Sequence, residues 1–153
     1  MATRSRIGLR LTEDSILSVY HHWDGYPQWL GVTLQKKFNT KEKVAELIDG
    51  GDISCCDSDT DWNLEKVDNH VQYYNDRGEK TEPRLDLNFD DYVNNATACE
   101  EFVYVFLPED NKWECYEINH SYDEDYNITD TNVVSKSIPT AQEAEESFVK
   151  NAY

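Results

Sequence analysis

Residues 21–31 hold the densest group of chemically capable side chains: His21-His22-Trp23-Asp24-Gly25-Tyr26-Pro27-Gln28-Trp29-Leu30-Gly31. Two adjacent histidines, one carboxylate and two of the four tryptophans fall within these eleven positions. Alternation along a strand puts His21 and Trp23 on the face shared with Leu17 and Val19, and His22 and Asp24 on the other. A carboxylate two positions from an imidazole can orient it, and such a pair can move a proton. His22 and Asp24 are therefore the candidate acid–base residues, and Trp23, Tyr26 and Trp29 the candidate binding walls. The bland alternative is local: Asp24 caps the following turn, Tyr26 and Trp29 pack, and His21 is a satisfied core histidine.

A second candidate is Asp57-x-Asp59-x-Asp61, which has the opening spacing of a calcium loop. From Asp57, Asn63 falls at position 7, Glu65 at 9 and Asp68 at 12. Trp62 stands where an EF-hand requires glycine, and position 12 is aspartate rather than a bidentate glutamate. Asp57, Asp59 and Asp61 thus read as a solvated acidic loop, and no metal is expected. The cysteines, Cys55, Cys56, Cys99 and Cys115, have neither zinc-site nor disulfide-framework spacing and read as free thiols of a reducing compartment. His70 and His120 stand alone. No nucleophile elbow, P-loop, HExxH or dinucleotide fingerprint is present, so no cofactor is implied.

The elements that must position these residues follow from periodicity. Ile7, Leu9 and Leu11 alternate, four polar residues intervene, and 16–23 alternate again, which predicts a hairpin with one buried face. Pro27 suits a first helical turn, followed by Leu30, Leu34 and Phe38 at helical spacing. Gly31 within that helix predicts a close neighbour. Thr40 caps a second helix with an apolar stripe of Val44, Leu47 and Ile48, ended by Gly50-Gly51. Residues 70–74 predict a strand, 75–78 a turn and 87–95 a short helix. Glu101–Leu107 and Lys112–Ile118 predict an aromatic hairpin, 119–130 an acidic loop and 131–138 an edge strand. Thr140 with Glu143 opens a C-terminal helix. The expected fold is a single α+β domain over 1–153: an antiparallel sheet of two hairpins, two consecutive helices after the first and one helix at the C-terminus.

Thr3-Arg4-Ser5-Arg6-Ile7, with Tyr20-x-His22-Trp23-Asp24-Gly25-Tyr26-Pro27 and Gly31, resembles a family of small proteins from bacteriophages and bacteria, to which no activity is attached. Val44…Leu47-Ile48…Gly51-Asp52-Ile53-Ser54 resembles the same family. The resemblance covers residues 1–54, a ββαα unit, and leaves 55–153 as an acidic remainder. It implies a phage setting.

The charge bounds the function. The chain has 153 residues and a net charge of −17, from 31 acids and 14 bases. Residues 1–50 hold seven of the bases and six of the acids, so the excess acid lies in 51–153. Such a surface repels nucleic acid and anionic membranes and attracts basic protein surfaces. No apolar run suits a membrane span or a secretory signal, and a cytoplasmic location, that of the host cell for a phage protein, is expected.

The leading reading is an acidic interaction protein whose partner is a host protein with a basic surface, with imitation of nucleic acid as its specific form. About 30 Å of duplex carries 18 charges, which a chain of this length spans. The candidate acidic surface is Asp57, Asp59, Asp61, Asp86, Asp90, Asp91, Glu100, Glu101, Asp123, Glu124 and Asp125. A small-molecule binder or small enzyme built on His22, Trp23, Asp24 and Tyr26 is the alternative; enzymatic activity stays open, with the absence of a second acid–base partner weighing against it. A structural or accessory role is the third. Oligomeric state is not legible, and edge strands leave a dimer open.

Overall fold

The computed structural model describes residues 3–56, 71–140 and 142–144. The strands are β1 (Ser5–Arg10), β2 (Ile16–His21), β3 (Ile53–Cys56), β4 (Val71–Tyr73), β5 (Arg84–Asp86), β6 (Phe102–Leu107), β7 (Lys112–Tyr122) and β8 (Ile128–Lys136). The helices are α1 (Val32–Lys37), α2 (Lys41–Asp49) and α3 (Phe89–Asn94), with a π-helical turn at Pro27–Gly31 leading into α1. Asp57, Asp59, Asp61, Trp62, Asn63, Glu65, Asp68 and His70 lie outside the described residues, as does most of the expected C-terminal helix. At its start, the Glu143 N–H donates to the Thr140 hydroxyl at 3.1 Å.

One mixed sheet of eight strands runs β4-β3-β2-β1-β6-β7-β8, with β5 added to β2. This overturns the expected antiparallel sheet. β1 and β6 pair in parallel from Ser5↔Phe102 to Leu9↔Phe106, and β2 meets β3 in parallel at His21↔Ile53. The helices are few and short, six to nine residues each. The physical reason lies in β1. It is central, buried from Ser5 to Leu9, and covered on both faces rather than one. Local alternation cannot report which distant strand fills its second edge.

Two apolar clusters sandwich the sheet. Leu30, Leu34, Val44, Leu47 and Ile48 pack on the face bearing Ile7, Leu9, Val19, Tyr104 and Phe106. On the opposite face Tyr92, Val93 and Ala96 cover Ile16, Val103, Val105 and Ile118. The neighbour that Gly31 predicts is Ile138: a Cβ at Gly31 would stand 2.9 Å from its Cγ2. The acidic loop expected over 119–130 is shorter than its composition suggests, because β7 continues to Tyr122 and β8 begins at Ile128.

The outer edge of β2 is shared. β5 pairs with Ile16–Ser18, while further along the His22 and Trp23 N–H groups donate to the Ile53 and Ser54 carbonyls. Between the two, the Tyr20 N–H donates to the Asp52 carboxylate at 2.9 Å. A side chain thus completes the backbone bonding where the sheet forks, and an orphaned amide is avoided.

Candidate functional site

β2 ends at His21, and the residues after it leave the sheet. The buried His21 Nε2 accepts the Cys56 N–H at 3.2 Å, which leaves the proton on Nδ1, 3.2 Å from the Ser5 hydroxyl. Burial lowers its pKa to about 3, with the neighbouring His22 adding to the shift. His21 is a neutral core histidine joining β1, β2 and β3.

His22 faces the other way. The Tyr20 hydroxyl lies 2.6 Å from His22 Nδ1. Burial pushes Tyr20 up to about 12, against the downward pull of Arg4. The phenol therefore stays protonated and donates, and the neutral His22 carries its own proton on Nε2. Partial burial and Arg4 lower the His22 pKa, which favours this neutral form. The Trp23 indole packs edge-on against His22, with ring centroids 4.7 Å apart, and is 46% exposed. The result is an open surface of Arg4, Tyr20, His22 and Trp23, with cationic, N–H and aromatic character.

The structure does not bring Asp24 to His22. Asp24 takes a left-handed backbone conformation (φ 56°), so strand alternation no longer sets its direction, and no hydrogen bond joins the two residues. Nor does it cap the following turn, whose N-cap is Tyr26. Its charge, after burial, helps raise the Tyr26 pKa. Gly25 is structural. Its N–H donates to the Thr3 carbonyl at 2.8 Å, its carbonyl accepts from Tyr104 at 2.7 Å, and a Cβ would stand 2.4 Å from the Ser5 hydroxyl oxygen. Tyr26 is the N-cap of the π turn and Trp29 lies within it, its carbonyl accepting from the Thr33 hydroxyl at 3.1 Å.

Tyr20 and Arg4 were legible but unassigned. Tyr20 stands two residues before His22, the spacing of one strand face, and the hairpin register Arg6↔Tyr20 brings β1 alongside.

The expected acidic surface divides. Glu100 is only 4% exposed; its Oε1 accepts the Ala98 N–H at 2.6 Å, and its Oε2 lies 3.5 Å from Arg6 Nη1. Arg6 also donates to the Ser18 hydroxyl at 3.0 Å. Asp86, 3% exposed, accepts from Arg84 Nε and Asn95 Nδ2, both at 2.8 Å. Arg84 in turn donates to the Tyr92 and Asn95 carbonyls at the C-terminus of α3. Both acids are interior pairing groups.

Asp90, Glu101, Asp123, Glu124 and Asp125 are exposed and Asp91 half-buried. None of the six is ion-paired with a described lysine or arginine. Asp90 and Asp91 occupy the first turn of α3, where the helix dipole favours negative charge. Asp123 also shapes its loop, accepting the Asp125 and Asn127 N–H groups at 2.9 Å, and those bonds hold its pKa down. Asp90 borders two grooves beside α3, one shared with Arg10, Asp14 and Glu114, the other walled by Thr131 and Val133 of β8.

No group of three His, Cys, Asp or Glu side chains suited to a metal occurs among the described residues. No helix among them is long and apolar enough to cross a membrane. Compared with known protein families, with curated proteins and with solved structures, the chain gives no match.

Proposed function

We propose that the chain is an acidic interaction protein, which presents the flank around α3 and the tip of the β7–β8 hairpin to a basic surface on another protein. One observation carries this reading. The arginines of the sheet face inward or to near neighbours, Arg6 to Glu100, Arg84 to Asp86 and Arg10 to Glu109, while Asp90, Asp91, Glu101, Glu124 and Asp125 form no ion pair among the described residues. A field of one sign attracts cationic surfaces and accelerates encounter with them. The resemblance of residues 1–54 to phage and bacterial proteins favours a host protein in the cytoplasm as the partner. Imitation of nucleic acid is the specific form of the proposal. The test is capture from host extract, elution by salt, and displacement of duplex DNA from each eluted protein by the wild-type chain. Displacement that weakens steeply with salt, and at least tenfold in the variant Asp90→Asn/Asp91→Asn/Glu124→Gln/Asp125→Asn, supports the reading. A flat salt response or an unaffected variant overturns it.

A second reading rests on the surface of Arg4, Tyr20, His22 and Trp23. An outward imidazole N–H beside a guanidinium and a half-exposed indole suits a small anionic or aromatic ligand. Thermal-shift screening of such compounds, repeated with His22→Ala, tests it: a shift lost in the variant supports a site, and none in the wild type removes it.

A further inference from the structure

β8 ends the sheet. It pairs with β7 along its length, and no described strand pairs with its other edge. Edge strands expose a row of unpaired N–H and C=O groups, which proteins blunt with prolines, bulges, charges or short length. β8 is nine residues long and has no proline; its ladder runs in register from Cys115↔Lys136 to Ser121↔Asp130, and its one bulge lies beyond that stretch, between Asp130 and Ile128. Its only charges are Asp130 and Lys136, both exposed and neither ion-paired with a described residue.

Those two charges share one face of the strand, because side chains alternate with a period of two. A two-fold axis at Val133 would set β8 antiparallel to a second copy of itself. Residue 130 then faces 136 of the copy, 131 faces 135, 132 faces 134, and 133 faces itself. Both Asp130–Lys136 contacts form together in this register. An axis at Asn132 sets Asp130 against Val134, and an axis at Val134 sets it against Ile138, so neighbouring registers lose both pairs. On the opposite face Val133, which packs on the α3-side apolar cluster, meets its equivalent and carries that cluster across the axis.

We infer that β8 is a homodimerisation edge, which joins two copies into one continuous sheet with the two-fold at Val133 and reciprocal Asp130–Lys136 pairs. This is independent of the acidic-flank reading. The net charge of each copy opposes association, but at 0.15 M salt the Debye length is about 8 Å. Distant charges are screened there, and directly facing pairs much less.

Sedimentation of the full chain at 0.15 M salt, at concentrations up to about 1 mM, reads the association. A dimer that dissociates on dilution is expected. Asp130→Lys sets lysine against lysine at both contacts, and Lys136→Asp sets aspartate against aspartate. Each should weaken the dimer about tenfold, since like charges then stand directly opposite at both contacts. Mixing the two single variants restores both pairs in a heterodimer and should recover wild-type affinity. Both positions are exposed, and circular dichroism checks that each variant folds. A monomer throughout the range, single variants that dimerise like wild type, or a mixture that fails to recover would each overturn the inference.

Discussion

The Tyr20 hydroxyl donates across 2.6 Å to Nδ1 of His22, the residue that follows β2. This contact, and not one with Asp24, sets the tautomer and direction of the most exposed histidine of the 21–31 segment. A donor on Nδ1 stabilises the neutral ring, because protonation there would forfeit the bond.

Tyr20→Phe removes that donor and should raise the His22 pKa. A hydrogen bond contributes about 0.5–1.5 kcal/mol, so the rise should be up to about one unit. Histidine side-chain NMR across a pH titration reads it directly. Asp24→Asn should leave the same resonance nearly unmoved, since the two side chains make no hydrogen bond. A large shift on Asp24→Asn with none on Tyr20→Phe would restore the pairing expected from alternation.

How much was legible follows from which forces are local. The first hairpin, the cap at Thr40 and the α2 stripe rest on spacings of two to four residues, and those segments take strand and helix form. The face of Asp24 was lost because alternation holds only while a strand lasts, and the chain leaves it after His21. Glu100 and Asp86 look in sequence like the other acids. Glu100 is buried against Arg6, which the fold brings from β1, and Asp86 against its strand neighbour Arg84 and against Asn95 of the α3 C-terminus, a contact that spacing alone does not report. The parallel β1–β6 contact was out of reach because its partners, Ser5↔Phe102 to Leu9↔Phe106, lie 97 residues apart.

His21 makes stability depend on pH in one direction. Its folded pKa is about 3, against 6.5 for the free side chain. Below pH 6.5 the unfolded chain takes up a proton that the folded chain refuses. The stability that the neutral ring contributes is full above pH 6.5 and is lost as pH falls toward 3. The slope approaches about 1.4 kcal/mol per pH unit within that window. Urea unfolding at pH 7 and pH 5 should show wild type losing stability relative to His21→Asn, whose amide replaces a donor and an acceptor but does not titrate. The variant should be less stable at pH 7, with the gap narrowing at pH 5. A constant gap would mean that His21 does not carry the acid sensitivity.

The Arg6–Glu100 pair decides whether Glu100 belongs to the interior or to the contact surface. Removing one partner of a buried ion pair leaves a desolvated charge and costs about 3–5 kcal/mol, whereas replacing both with apolar groups is often far milder. Arg6→Met alone should therefore destabilise strongly, because the buried Glu100 Oε2 accepts no hydrogen bond and loses its ion-pair partner Arg6. Arg6→Met/Glu100→Met should recover much of that loss, giving a coupling of about 2 kcal/mol or more in a double-mutant cycle. A surface acid behaves oppositely: Glu100→Gln would leave stability within about 0.5 kcal/mol and weaken binding to a basic partner. Denaturant midpoints of wild type, Arg6→Met, Glu100→Met and the double variant separate the two cases. Additive single effects would return Glu100 to the acidic surface, and strong coupling with unchanged partner binding keeps it in the core.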